Sequence, residues 1–188
     1  MAIISARGIA KNYTLGKTTV RALRGVDIEI ERGEHVCVAG PSGAGKSTLL
    51  NILGLLDEAS AGSLEIDGKD VASMSRKELV RFRRERIAFI FQSFNLVPVL
   101  DAYENIEFPL LIQKVGAAER RKRITRLTEE IGIGEYLKHR PDELSGGQRQ
   151  RVAIARALVT KPQVVFADEP TANLDSENGE AVLALMRR

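Results

Sequence analysis

Two early stretches of the chain alternate apolar and polar residues. Val26, Ile28 and Ile30 are separated by Asp27, Glu29 and Glu31, and Leu64 and Ile66 flank Glu65 just before the turn pair Asp67-Gly68. A period of two predicts half-buried strands. His35-Val36-Cys37-Val38-Ala39 and Val164-Val165-Phe166-Ala167 are continuous apolar runs, the pattern of strands covered on both faces. Ile87-Ala88-Phe89-Ile90-Phe91 is a further apolar strand. Helical patterns follow at 46–55 and 177–186, and residues 76–86 and 117–131 form Arg- and Glu-rich helices. A last helix starts near Gly146, with Val152, Ala155, Leu158 and Val159 on one face. This order predicts an α/β core with an N-terminal antiparallel β subdomain and excludes all-helical and all-β folds.

Composition narrows the class. A length of 188 residues suits one domain, and 44% apolar with 28% charged residues is a globular balance. The 28 basic and 25 acidic residues leave a net charge of +3, too small an excess to suggest a nucleic-acid binder. Cys37, the single cysteine, excludes an internal disulfide and reads as a small core residue within its apolar run. No signal peptide is apparent, and no apolar run reaches the roughly 18 residues of a membrane-spanning helix. The expected location is therefore cytoplasmic, with any membrane work done through a partner.

The chemistry starts at Gly40-Pro41-Ser42-Gly43-Ala44-Gly45-Lys46-Ser47, which fits G-x-x-x-x-G-K-[ST] at every fixed position and is followed by Thr48. Glycines let consecutive N–H groups turn inward toward phosphate oxygens, and the helix start adds partial positive charge. Lys46 suits the β- and γ-phosphates, and the Ser47 hydroxyl suits Mg²⁺. Asp168 and Glu169 close the second buried run, where ligands gather at the carboxyl ends of parallel strands. Asp168 suits the Mg²⁺ shell, and Glu169 suits a general base or water orienter; an acidic turn before Pro170 is the bland alternative. Leu144-Ser145-Gly146-Gly147-Gln148 opens the last helix, with Ser145 a natural N-cap. Two glycines in a first helical turn cost roughly 1 kcal/mol each against alanine, so the bare backbone points to a second anion site serving another subunit's nucleotide.

Taken together, these motifs resemble the nucleotide-binding subunit of ABC transporters, over the whole chain. Gly40–Thr48 looks like Walker A, Leu144–Gln148 like the LSGGQ signature, and Val164–Glu169 like Walker B with its catalytic glutamate. Gln92 matches the Q-loop glutamine, Asn173-Leu174-Asp175 the D-loop, and Tyr13 the aromatic that stacks on adenine, although a plain strand aromatic fits Tyr13 too. The wording of 51–57, 91–98 and 168–175 is similar to the lipoprotein-releasing and macrolide-exporter class. The resemblance implies a P-loop NTPase, RecA-like core, with a helical subdomain over about 93–160 carrying the Q-loop and signature. It implies catalytic roles for Glu169, Lys46 and Gln92, and Mg²⁺ held by Ser47, Gln92 and Asp168. Contacts to ATP would come from Tyr13, Gly40 to Thr48, Ser145, Gly146, Gly147, Gln148 and Asp175. It further implies a homodimer sandwiching two ATP molecules and an integral membrane permease, with no nucleic acid. That permease would dock among Phe94, Leu96, Val97, Leu100 and Tyr103, on the inner face of the membrane.

The family also uses a switch histidine beyond the D-loop, on a strand lying between the Walker A and Walker B strands. Neither His35 nor His139 matches it by position. The expectation is a C-terminally incomplete version of a longer subunit. The alternative function is an ATP-dependent dimerisation module without turnover. The basic helix faces around Arg81 to Arg86 and Glu119 to Arg126 read as solvated surfaces.

Overall fold

A computed structural model describes residues 2–16 and 18–171. The expected D-loop, including Asp175, and the helix over 177–186 lie outside the described residues. The chain forms two compact units, Met1–Arg83 and Arg84–Arg188.

The first unit is built on a four-stranded antiparallel sheet, in the order β2-β1-β3-β4. Its strands are β1 (Ala2–Leu15), β2 (Thr18–Glu31), β3 (Ala61–Ile66) and β4 (Lys69–Asp70). The predicted alternation holds, since Val26, Ile28 and Ile30 are half-buried while Asp27, Glu29 and Glu31 are exposed. Ile4, Ile9, Leu64 and Ile66 fill the covered face of the sheet. Helix α1 (Lys46–Leu53) adds Leu49, Ile52 and Leu53, and it packs on β1 and β2. Gly62 marks the tightest strand crossing. Its φ is +99°, and a Cβ there would lie 2.5 Å from the Gly8 carbonyl oxygen. Helix α2 spans Arg76–Arg86, as the sequence predicts, and buries Phe82.

The buried strand expected at His35–Ala39 does not form. Residues 34–41 carry no strand, Val36 is 44% exposed, and Cys37 is exposed and not a core residue. An apolar run becomes a doubly covered strand only when neighbours satisfy its backbone groups. Among the described residues no strand pairs with this one.

In the second unit, β5 (Ile87–Ile90) and β6 (Val164–Ala167) pair in parallel, with Ile87 opposite Val164 and Ile90 opposite Ala167. Helix α5 (Gly146–Leu158) covers this pair: Ile154 and Ala157 cluster with Ala88 and Ile90. Its other face joins α3 (Ala102–Ile112) and α4 (Ala117–Glu130) around Ile106, Leu110, Ile124, Val152, Ala155 and Val159. Helix α3 is absent from the sequence reading. Pro109 lies within it, and its register of Phe108, Leu111 and Ile112 faces outward at 46%, 47% and 46% exposure. An internal proline and a mixed pattern hide the helix, while its capping box from Asp101 to Glu104 is a legible start signal. Leu96 and Tyr103, two of the expected docking residues, pack partly buried against the α3–α5 cluster, whereas Val97 is 36% exposed.

Candidate nucleotide site

The first unit holds the phosphate loop. Gly43 and Gly45 adopt left-handed φ values of +79° and +89°. Gly45 is also confined, since a Cβ would stand 2.6 Å from the Ala22 carbonyl oxygen and 2.9 Å from a Leu23 methyl carbon. Two requirements therefore converge on glycine there, one of backbone angle and one of space. Gly45 is the N-cap of α1, which has no side-chain cap and no acidic residue in its first turn. No side-chain cap and no acidic charge therefore offset the opening amides or the positive end of the helix. Lys46 Nζ donates to the carbonyls of Gly40 at 2.9 Å and Pro41 at 3.1 Å, which holds its charge inside the loop. The Ser47 hydroxyl lies on the exposed side of the helix start.

Tyr13 lies on β1 in the same unit. Its hydroxyl donates to Asp57 Oδ2 at 2.7 Å, and Lys11 Nζ sits 5.0 Å from the ring centroid. Lys11 also donates to Asp57 Oδ1 at 2.6 Å. Burial pulls the Asp57 pKa upward, but hydrogen bonds from Lys11, Tyr13 and the Glu58 amide, with the Lys11 charge, hold it below the ordinary value. The ring is thus fixed at its tip by a carboxylate and partly faced by an ammonium group.

The second unit holds the carboxylates. Asp168 follows β6, and its N–H donates to the Ile90 carbonyl at 3.0 Å, extending the ladder by one bond beyond the strands. Glu169 then turns at a left-handed φ of 46°. Gln92 leaves the paired strand β5, and its Nε2 donates to Glu169 Oε2 at 3.1 Å. Parallel pairing therefore brings Gln92, Asp168 and Glu169 to the same carboxyl ends of β5 and β6.

Signature residues open α5. Ser145 Oγ accepts from the Gln148 amide at 3.3 Å, and Gln148 Oε1 accepts from the Ser145 amide at 2.7 Å. Gln148 is thus also a capping residue, which reciprocates the Ser145 cap at the start of α5. Leu144 is buried in the helical cluster and anchors the turn.

Three polar residues of this unit escaped the sequence reading. Asn105, 1% exposed on α3, accepts from the Val97 amide and donates to the carbonyls of Val97, Leu100 and Asp101. Gln150, fully buried on α5, donates to the Pro170 carbonyl at 2.6 Å, directly after Glu169. Arg156, also on α5, donates to the carbonyls of Phe94 and Asn95. Gln150 had a signal in the sequence: it lies in register with Ile154 and Ala157 on an apolar stripe.

A family model for ABC transporters matches residues 23–172. The chain belongs to the ABC transporter family. Among its ABC relatives, an uncharacterized ABC transporter ATP-binding protein of Thermotoga maritima is 51% identical over 95% of this chain and 76% of its own length. A macrolide export ATP-binding/permease protein MacB of Marinobacter nauticus is 48% identical over 98% of this chain, but over only 29% of its own length. The dimeric structure of MJ0796, a bacterial ABC transporter cassette, superposes with a TM-score of 0.90 at 43% identity, covering 97% of this chain and 81% of that one. The same cassette in a post-hydrolysis state, bound to ADP and Pi, superposes with a TM-score of 0.89 at 42% identity, over 97% and 81% of the two chains. The α/β class with an antiparallel N-terminal sheet is therefore that of an ABC ATPase cassette. Among the described residues no helix is long and apolar enough to cross a membrane.

Proposed function

We propose that this chain binds and hydrolyses ATP, and that hydrolysis drives an export or mechanotransmission complex through a membrane permease. Gly40 to Thr48 bind the phosphates, and Lys46 leaves its two carbonyl partners to meet the β- and γ-phosphate oxygens. Tyr13 stacks on adenine. Ser145, Gly146, Gly147 and Gln148, together with Asp175, complete the ATP site of a second copy. The hydrogen bond between Gln92 and Glu169 carries this reading, because it gathers an amide and a carboxylate at one strand end beside Asp168.

The donor set suits Mg²⁺: the Ser47 hydroxyl, the Gln92 amide oxygen and the Asp168 carboxylate are all hard oxygen donors. Among the described residues no cluster of three His, Cys, Asp or Glu side chains could hold a metal. A cation held mainly by phosphate oxygens and one or two protein carboxylates is the Mg²⁺ pattern. When bound, Mg²⁺ neutralises charge on the β- and γ-phosphates. The Gln92–Glu169 bond keeps the Gln92 side chain at the strand end beside Asp168, where such a cation would be held. Glu169 accepts a proton from, or orients, the attacking water.

Similarity to MacB and to a dimeric cassette supports an exporter role at the cytoplasmic face of the membrane, with a second copy and a permease as partners. The test is ATP turnover by the purified chain with Mg²⁺. Glu169→Gln is expected to lower kcat by about a hundredfold or more while ATP still binds. Unchanged turnover in Glu169→Gln would remove the base from this scheme. Tight ATP binding and ATP-dependent dimerisation without wild-type turnover would favour a non-hydrolytic dimerisation module.

A further inference from the structure

The loop that carries Gln92 makes an expensive turn. Phe94 and Asn95 are consecutive non-glycine residues with φ of +61° and +49°. Asparagine tolerates that region, whereas a phenylalanine there is costly and persists only where its surroundings impose it. Local bonds supply part of the restraint: the Phe94 amide donates to the Phe91 carbonyl at 3.1 Å, and Ser93 Oγ donates to Asn95 Oδ1 at 2.9 Å. The rest comes from α5, more than fifty residues later in the chain. Arg156 Nη2 donates to the Phe94 carbonyl at 2.6 Å and Nη1 to the Asn95 carbonyl at 2.5 Å. One guanidinium fork thus grips both left-handed residues by their backbone. Two turns earlier on the same side of α5, the Arg149 guanidinium lies 5.4 Å from the Phe94 ring centroid. Phe94 is therefore held by its carbonyl and its ring from one helix.

No acidic partner of Arg156 is found among the described residues. Burial lowers its pKa from the ordinary guanidinium value, yet the helix keeps a half-buried cation to serve two carbonyls. A residue needed for packing alone would not carry that charge. Helix α5 begins at the signature, with Ser145 as its N-cap, and Gln150 on the same helix holds the Pro170 carbonyl next to Glu169.

We infer that Arg156 is a positioning residue for the hydrolytic reaction: it fixes the Phe94-Asn95 bend so that Gln92 meets Glu169, and so ties the start of the signature helix to the Gln92 loop. The inference rests on the roles proposed for Gln92 and Glu169. The guanidinium contacts neither of them. It acts through the backbone of the bend, and lysine, with one rotatable ammonium in place of a planar fork, serves it poorly.

The experiment compares steady-state ATPase kinetics of the wild-type chain, Arg156→Met, Arg156→Lys, Gln92→Ala and the double variant Gln92→Ala/Arg156→Met, each with its melting curve and its affinity for a fluorescent ATP analogue. Arg156→Met is expected to lower kcat by about tenfold or more, since small misplacements of catalytic groups are that costly. Its nucleotide affinity stays within about twofold of wild type, because the phosphate loop is untouched, and Arg156→Lys falls in between. In the Gln92→Ala background, Arg156→Met adds little further loss. A full additional loss in the double variant would overturn the inference, as it would show that Arg156 acts independently of Gln92. So would an unchanged kcat in Arg156→Met. Wild-type kcat in Gln92→Ala would overturn the reading of Gln92 itself and the inference with it. If Arg156→Met melts too early to assay, Arg156→Lys and the Gln92→Ala/Arg156→Lys pair give the same comparison.

Discussion

Asn105 offers the sharpest test of how the segment after Gln92 is held. Its side chain accepts from the Val97 amide at 2.8 Å and donates to the carbonyls of Val97 at 3.2 Å, Leu100 at 3.0 Å and Asp101 at 2.9 Å. It is 1% exposed, so water cannot replace those bonds without entering the packed cluster. Asn105→Ala strands the Val97 N–H and leaves the carbonyls with one partner fewer. The orphaned donor costs about 1–3 kcal/mol and the carbonyls less, for a total near 3 kcal/mol. For a chain of this size that corresponds to a melting point lower by roughly 6–12 °C. Asn105→Asp keeps the acceptor for Val97 but turns a carboxylate oxygen toward three carbonyls. At neutral pH it should cost at least as much as alanine despite being isosteric. That Asp would have a raised pKa, so its deficit should shrink as pH falls and the carboxyl gains a proton to donate. Urea titrations of the three proteins at pH 7 and pH 5 measure this directly. A loss below about 1 kcal/mol in Asn105→Ala, or a milder effect of Asn105→Asp than of alanine at pH 7, would refute the reasoning.

Three further outcomes are expected. Gly45→Ala forces a Cβ against the Ala22 carbonyl at a left-handed φ, so affinity for a fluorescent ATP analogue should fall at least about tenfold, ~1.4 kcal/mol; near-wild-type affinity would mean the loop has room to shift. Because the Asp57 pKa is depressed in the folded state, its bonds to Lys11 and Tyr13 stabilise at neutral pH. That contribution is lost as pH falls through the carboxylate range, so melting curves from pH 7 to pH 3 should be flatter in Lys11→Met than in wild type. Tyr13→Ala should weaken ATP-analogue binding while Tyr13→Phe, which keeps the ring and loses only the Asp57 bond, should bind nearly as well; equal affinity in Tyr13→Ala removes the stacking role.

Much of this architecture was legible because it is periodic or local. Val26 to Glu31 announce their sheet face by alternation, and the phosphate loop announces itself by glycines that the observed φ values and the crowding at Gly45 require. His35–Ala39 shows the limit of that reading. Its apolar run measures a capacity for burial, but the partner strands that would realise it are a tertiary matter. Helix α3 was hidden by Pro109, although Asp101 and Glu104 marked its start. Gln150 could have been found by its place on the apolar stripe of Ile154 and Ala157, but Asn105 and Arg156 were illegible for a deeper reason. Each spends its side-chain N–H groups on backbone carbonyls, and a backbone carbonyl leaves no mark on the sequence.

Helix α5 buries Gln150, Val152, Ala153, Ile154, Ala155 and Ala157, and its C-cap Val159 is buried just beyond them. Ala155 packs against helices α3 and α4 and Ala157 against the β5–β6 pair, so a larger side chain at either has no open side to turn toward. In a saturation-mutagenesis map this stretch should stand out as the least tolerant of the described helices. The exposed positions of α4, such as Arg126 and Glu130, should accept nearly anything. The helix that begins at the signature is thus a narrow evolutionary corridor: drift in this lineage must pass through the outer helices and leave α5 almost unchanged.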